Sequence, residues 1–282
     1  MTNPLEWPTD LPRLVWNSSM LRDAGMSRRA IDSAVRSGAL QRVRRGSYVP
    51  AGSRPDLVES ASLGGRLDCV SLLEAVGVFV RRRSGLHVQQ ESHASRRPAA
   101  PKGVRYHWRR STAPRESAVT DLVEALVQAV RCQTPRDAVA TLDSAWHLGH
   151  VDERDIADIF VRLPHRFSVL RGLLDRRSES GIESLVRLVL RSIGCHVELQ
   201  VRIKGVGRVD FLVDGWLIVE CDSQQFHGDW QTVKRDRRRD LAAVERGFVP
   251  IRLLAEDVLF HHDEVRHSLE RLVRRGPLLP GL

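Results

Sequence analysis

Long apolar runs are missing from this 282-residue chain, which excludes a membrane-spanning helix, since that needs roughly 18–20 consecutive apolar residues. Cysteine is scarce: Cys69, Cys132, Cys195 and Cys221 stand far apart, with no C-x-x-C pair among them. Neither a zinc knuckle nor a disulfide framework is therefore expected, and the thiols are expected to stay reduced in a cytoplasm. His87, His93, His107, His147 and His150 lack metal-ligand spacing and read as surface or core residues. The N-terminal stretch has no basic start followed by an unbroken apolar run. Pro4, Glu6, Pro8 and Asp10 fall where an export leader would need them absent, so none is expected.

Lysine is nearly absent, at Lys102, Lys204 and Lys234, yet arginine is abundant enough to give a formal charge of +9. Such a charge favours a polyanionic partner, because cations that neutralise phosphates release condensed counterions. Nucleic acid is the expected partner. Arginine dominance is also what a GC-rich coding sequence would produce, so charge alone does not settle function. The length allows two or three domains, expected at 1–50, 51–175 and 176–282.

The first of these reads as helix, turn, helix and basic hairpin. Gly25 breaks one helical segment, Ser27 can cap the next, and Ala30, Ile31, Ala34 and Val35 recur at helical spacing until Gly38. Leu40 to Val49 then alternates apolar and basic residues around Gly46, as a two-stranded wing would. With G-x-S-x-x-x-I from Gly25 and G-x-L-x-R-V-R-R-G-x-Y-V from Gly38, the segment resembles the winged helix of AbiEi-type antitoxins. That resemblance implies a helix facing a DNA groove with Arg28, Arg29 and Arg36, and phosphate contacts from Arg42, Arg44 and Arg45. A winged helix used for domain packing, with solvated arginines, would look the same.

Residues 51–175 read as a mostly helical, basic scaffold. LDCVSLLEAVGVFV is expected to be a buried helix. Arg81, Arg82, Arg83, Arg96, Arg97, Arg109 and Arg110, interleaved with Tyr106 and Trp108, form either a nucleic-acid channel or a solvated loop.

From residue 181 the order is helix, three short strands, charged helix, strand and helix. A meander followed by a crossover to a fourth strand gives a mixed sheet flanked by helices, because only the crossover can reach a parallel neighbour. Asp210 interrupts one strand, while Glu220 and Asp222 flank Cys221 in the next. Carboxylates in buried strands are costly unless paired or bound to a cation. A two-residue loop at Asp214 and Gly215 would send Asp210 and Glu220 to opposite faces. A three-residue connection, Asp214 to Trp216, sets them side by side with Asp222 on the same face, and this odd register is predicted. Such oxygens suit Mg²⁺ or Mn²⁺.

Glu183-Ser184 in the first helix, V-D-F at Asp210, I-V-E-x-D at Glu220, Phe226-His227 and R-D-x-x-R-D from Arg235 together resemble the PD-(D/E)XK nuclease superfamily. Within it they look like the domain-of-unknown-function family related to very-short-patch repair endonucleases. The resemblance implies a restriction-endonuclease-like sheet. It also implies a metal held by Asp210, Glu220, the Cys221 carbonyl and Asp222, with Glu183 as the first-helix carboxylate. Asp222 stands where the superfamily has a lysine, so a water-polarising cation is missing there. His227 is a candidate acid or base, Gln200 a candidate for orienting water, and Arg235 and Arg239 a candidate phosphate clamp.

The expected fold is thus α/β in the broad sense, α+β overall. The expected function is a Mg²⁺- or Mn²⁺-dependent DNA endonuclease in the cytoplasm. It would have no small-molecule organic cofactor and no membrane partner, and a monomer would suffice. The alternative is a DNA-binding, antitoxin-like transcriptional regulator whose nuclease fold is inactive.

Overall fold

The computed structural model describes residues 7–82, 85–92, 99–222 and 230–277. It is a mixed α and β structure, as expected, and its chain divides into two compact units. The first comprises Met1–Ala138 and Leu148–Arg171, the second Val139–His147 and Gly172–Leu282.

The first unit opens with β1 (Trp16–Asn17), α1 (Ser18–Asp23), α2 (Arg28–Arg36), β2 (Leu40–Arg44) and β3 (Ser47–Pro50). Asn17 caps α1 through its side chain, and the Ser27 hydroxyl accepts the Ala30 N–H to start α2, which satisfies donors that the first turn cannot. Gly25 and Gly38, at φ +86 and +74, supply the left-handed turns between elements. The strands form an antiparallel sheet in the order β1-β3-β2. Ile31 packs with Leu21, Leu40 and Tyr48 in a small core flanked by Ala34 and Val35, so these three form the inner face, while Ala30 is exposed.

There follow α3 (Pro55–Ser62), β4 (Arg66–Leu67), α4 (Cys69–Ala75), β5 (Leu86–Gln90), β6 (Val104–Trp108), α5 (Leu122–Cys132), α6 (Pro135–His147), whose residues from Val139 on belong to the second unit, and α7 (Glu153–Arg162). Strands β4, β5 and β6 make a second sheet, antiparallel then parallel. The helix expected in LDCVSLLEAVGVFV forms, but spans only Cys69–Ala75; it is almost wholly buried. A 3-10 helix at His165–Leu173 was not legible in the sequence.

Of the arginines read as either a channel or a solvated loop, Arg81 and Arg109 are spent on internal ion pairs, while Arg82 and Arg110 are exposed. Arg81 pairs with Asp137 at 3.1 Å, and Arg109 joins Asp68 at 2.7 Å to Glu124 at 2.9 Å. Burial works to raise the Glu124 carboxyl, but hydrogen bonds from the Thr112 N–H, Ser111, Arg109 and the Thr112 hydroxyl outweigh it and hold the group at about 2. Arg83, Arg96, Arg97 and His93 lie outside the described residues.

The second unit contains α8 (Gly181–Ser192), β7 (Val197–Ile203), β8 (Gly207–Val213), β9 (Leu217–Asp222), α9 (Trp230–Val244), β10 (Val249–Leu254), α10 (Ala255–Phe260) and α11 (His262–Arg275). Its sheet runs β10-β9-β8-β7, with the meander antiparallel and β10 parallel to β9 across the α9 crossover. This is the expected topology. Phe211 and Val219 pair across the two central strands and are fully buried, while Ile218 packs near Ala243 of α9.

Candidate functional site

The acidic residues of the second unit come together because of one tight turn. Val213 pairs with Leu217, leaving Asp214, Gly215 and Trp216 as the connection, with Asp214 at φ +50 and Gly215 at φ +75. This is the odd register predicted from the sequence. Carried one step past the last paired residues, it sets Asp210 beside Glu220, and the Asp210 Oδ2 accepts the Cys221 N–H at 2.9 Å.

The same row extends across the whole sheet. On β7, Gln200 lies between the pairs Leu199–Phe211 and Val201–Val209, level with Asp210; on β10, Arg252 is the direct partner of Glu220. Gln200 is held at φ +56, and its Nε2 donates to Glu183 Oε2 at 3.0 Å. Its Oε1 is buried with no hydrogen-bond partner among the described residues. Glu183 reaches this row from the first turn of α8, where the Ser180 hydroxyl accepts its N–H and its own carboxylate accepts the Glu179 N–H at 2.8 Å.

These carboxyls share an excess of negative charge. Burial, then the neighbouring Asp210 charge, pushes Glu183 up to about 7. Burial likewise raises Asp210 and Glu220 above their ordinary values. Asp210 and Glu220, but not Glu183, border a cleft of about 760 Å³ whose lining also carries Arg208, Arg235 and Arg237.

Where the sequence reading expects a cation, the structure places arginines. Arg239 meets one Glu220 oxygen at 2.9 Å and Arg252 the other at 3.0 Å; Arg252 also holds Asp222 at 3.1 Å and Asp240 at 3.0 Å. Arg239 was expected to clamp phosphate, but its Nε and Nη2 also donate to the Val206 and Arg208 carbonyls, because α9 lies against the sheet there. Arg235 is exposed on the cleft rim. The four expected ligands, Asp210, Glu220, the Cys221 carbonyl and Asp222, therefore do not fit a resident Mg²⁺ or Mn²⁺ as they stand. Glu220 has both oxygens occupied. His227 lies outside the described residues. Sequence reasoning missed Arg252, although a single arginine in the apolar strand VPIRLL was a visible signal.

In the first unit, Arg28, Arg29, Arg36, Arg42, Arg44 and Arg45 are all exposed. Arg29, Ser33 and Arg36 follow one another at helical spacing on the side of α2 away from Ile31, Ala34 and Val35, so two guanidinium groups line the outer ridge of the second helix. Arg42 and Arg44 lie on the first wing strand, where a bulge between them shifts the pairing with β3. Arg44 lies over Gly64, close enough that a Cβ there would collide with its guanidinium. The structure thus gathers the six arginines on one helix and one hairpin.

The expectation that the scattered cysteines and histidines have no ligand geometry is corrected. Cys69, His87, His107 and Cys132 bring their ligand atoms within 4.8 Å of one another, a group able to hold a metal ion. Among the described residues the cleft acids do not form a second such group. No short spacing announced the cluster, because its members come from α4, β5, β6 and α5 and meet only in the folded unit.

Residues 17–51 match the family described as "Transcriptional regulator, AbiEi antitoxin". The match runs from the cap of α1 to the end of the wing. No curated protein matches this chain. Among the described residues, no helix is long and apolar enough to cross a membrane.

Proposed function

We propose that this protein binds duplex DNA through residues 17–51, in the manner of an antitoxin-like transcriptional regulator. The observation that carries this reading is the exposed Arg29–Arg36 ridge of α2 beside the basic wing, inside the segment that matches the regulator family. A helix of this kind enters the major groove while the wing touches the backbone.

Fluorescence anisotropy on a duplex DNA pool, across a salt series, tests it. The Arg29→Ala/Arg36→Ala variant is expected to weaken binding at least about tenfold and to flatten the log K against log salt plot by roughly 0.9 per lost phosphate contact. Binding that is unchanged in this variant would refute the reading.

A second reading is favoured by the grouping of Glu183, Gln200, Asp210 and Glu220 along one row: phosphodiester hydrolysis of DNA in the cleft of the second unit. It is the activity that the nuclease resemblance implies, with Mg²⁺ or Mn²⁺ as its cation. Glu183, half protonated near pH 7 and bonded to Gln200, is suited to hold or pass a proton beside that row rather than in the cleft itself. With Glu220 paired to Arg239 and Arg252, no step through a metal is drawn, and the regulator reading expects supercoiled plasmid to survive incubation with either ion. Nicking by the wild type that is lost in both Asp210→Ala and Glu220→Ala would establish the nuclease reading.

A further inference from the structure

We propose that Cys69, His87, His107 and Cys132 bind one zinc ion in a closed, structural site within the first unit. The four side chains supply two sulfurs and two imidazole nitrogens, the donor set that selects zinc over the hard cations suited to carboxylates.

The distances fit. His87 Nδ1 lies 3.1 Å from His107 Nε2, which in turn lies 3.9 Å from the Cys132 sulfur. A tetrahedral zinc with bonds of about 2.0–2.1 Å to nitrogen and about 2.3 Å to sulfur sets its ligand atoms roughly 3.3–3.8 Å apart. Little movement is needed to receive the ion.

Neighbouring groups also fix the positions of Cys132, His87 and Cys69, as supports around metal ligands usually do. The Gln128 amide, one helical turn before Cys132, donates to its sulfur at 3.3 Å. The Ser71 hydroxyl accepts the His87 backbone N–H at 2.9 Å and so fixes the strand at that residue. Asp68, fixed by Arg109 and Thr120, sets the start of α4, where Cys69 takes a left-handed φ of +54 that a side chain rarely adopts. Cys69, His87 and His107 are all buried.

Charge favours the same assignment. On binding, the ion displaces two thiol protons to solvent, and the two thiolates then neutralise its two positive charges. A neutral cluster can be buried where a lone thiolate or imidazolium cannot. Four protein ligands leave no position for water, so the site ties α4 and α5 to the sheet and performs no chemistry of its own.

The full-length protein, purified without chelator or added metal, tests this by elemental analysis. About one zinc per chain is expected in the wild type and in Cys195→Ser, and its loss in Cys69→Ser/Cys132→Ser. Because that double variant can fail to fold, cobalt exchange into the wild type gives a second readout: visible d–d bands of a tetrahedral ion with a thiolate charge-transfer band. A strong chelator is expected to lower the melting temperature. A wild type that holds no zinc and gives no tetrahedral cobalt spectrum, a Cys69–Cys132 disulfide in the purified protein, or zinc retained by the double variant would each overturn the proposal.

Discussion

At the scale of single residues, Glu183 has the clearest consequence. Its folded pKa of about 7 lies above the ordinary 4.5, so the folded state holds a proton that the unfolded chain releases. Its contribution to stability is complete below about pH 4.5 and is lost as pH rises through 7. With one pKa unit equal to about 1.4 kcal/mol and some allowance for relaxation, the loss is on the order of 2 kcal/mol. Glu183→Gln removes the titration while keeping an acceptor for the Glu179 N–H and an amide-compatible neighbour for Gln200. Urea unfolding should show the variant more stable than wild type by about 1–2 kcal/mol at pH 8.5, with the advantage vanishing at pH 4.5. An identical pH dependence in the two proteins would mean that Glu183 is not the strained group.

Among the elements, α8 is anchored by an ion pair that its amphipathic pattern does not reveal. Arg187 is fully buried on its inner side, pairs with Asp143 at 2.5 Å, and also donates to Ser178 at 3.2 Å and to the Leu173 carbonyl at 2.6 Å. Asp143 further accepts from Ser184 and the Asp175 N–H, each at 2.8 Å. Arg187→Leu leaves that carboxylate buried without its cation and should cost about 3–5 kcal/mol by denaturant unfolding. Adding Asp143→Leu should recover part of the loss, since two apolar groups replace two charges. A double variant no better than the single one would place the energy in packing rather than in the uncompensated charge. The β8–β9 turn acts at the same scale: Asp214 and Gly215, both left-handed, set a register that a two-residue loop would have reversed.

For the molecule as a whole, the +9 charge is distributed unevenly in its effect. In the second unit, Arg208, Arg239 and Arg252 are consumed by Glu179, Glu220, Asp222 and Asp240, so they add little to a field acting on DNA. The winged helix keeps its arginines exposed. If all six of its arginines meet phosphates, duplex binding should fall with salt at a log–log slope of up to about −5. The slope should be insensitive to Arg252→Ala. A slope near zero, or one that drops with Arg252→Ala, would show that binding draws on the cleft instead of the wing.

Local chemistry was enough to write much of this structure from the sequence. The Ser27 cap, the Gly25 and Gly38 breaks, the wing alternation, the crossover to β10 and the odd register at Asp214–Trp216 all depend on residues close along the chain, where backbone preference and side-chain period act directly. Which charges meet was decided only in three dimensions. Arg252 reaches Glu220 because a parallel neighbour is placed by a whole crossover, and Cys69, His87, His107 and Cys132 converge from four elements with no spacing that a reader could recognise. A pattern along the chain specifies the elements and the faces they bury; the partner of a buried charge or thiol is fixed by distant contacts, and those exist only once the core has closed.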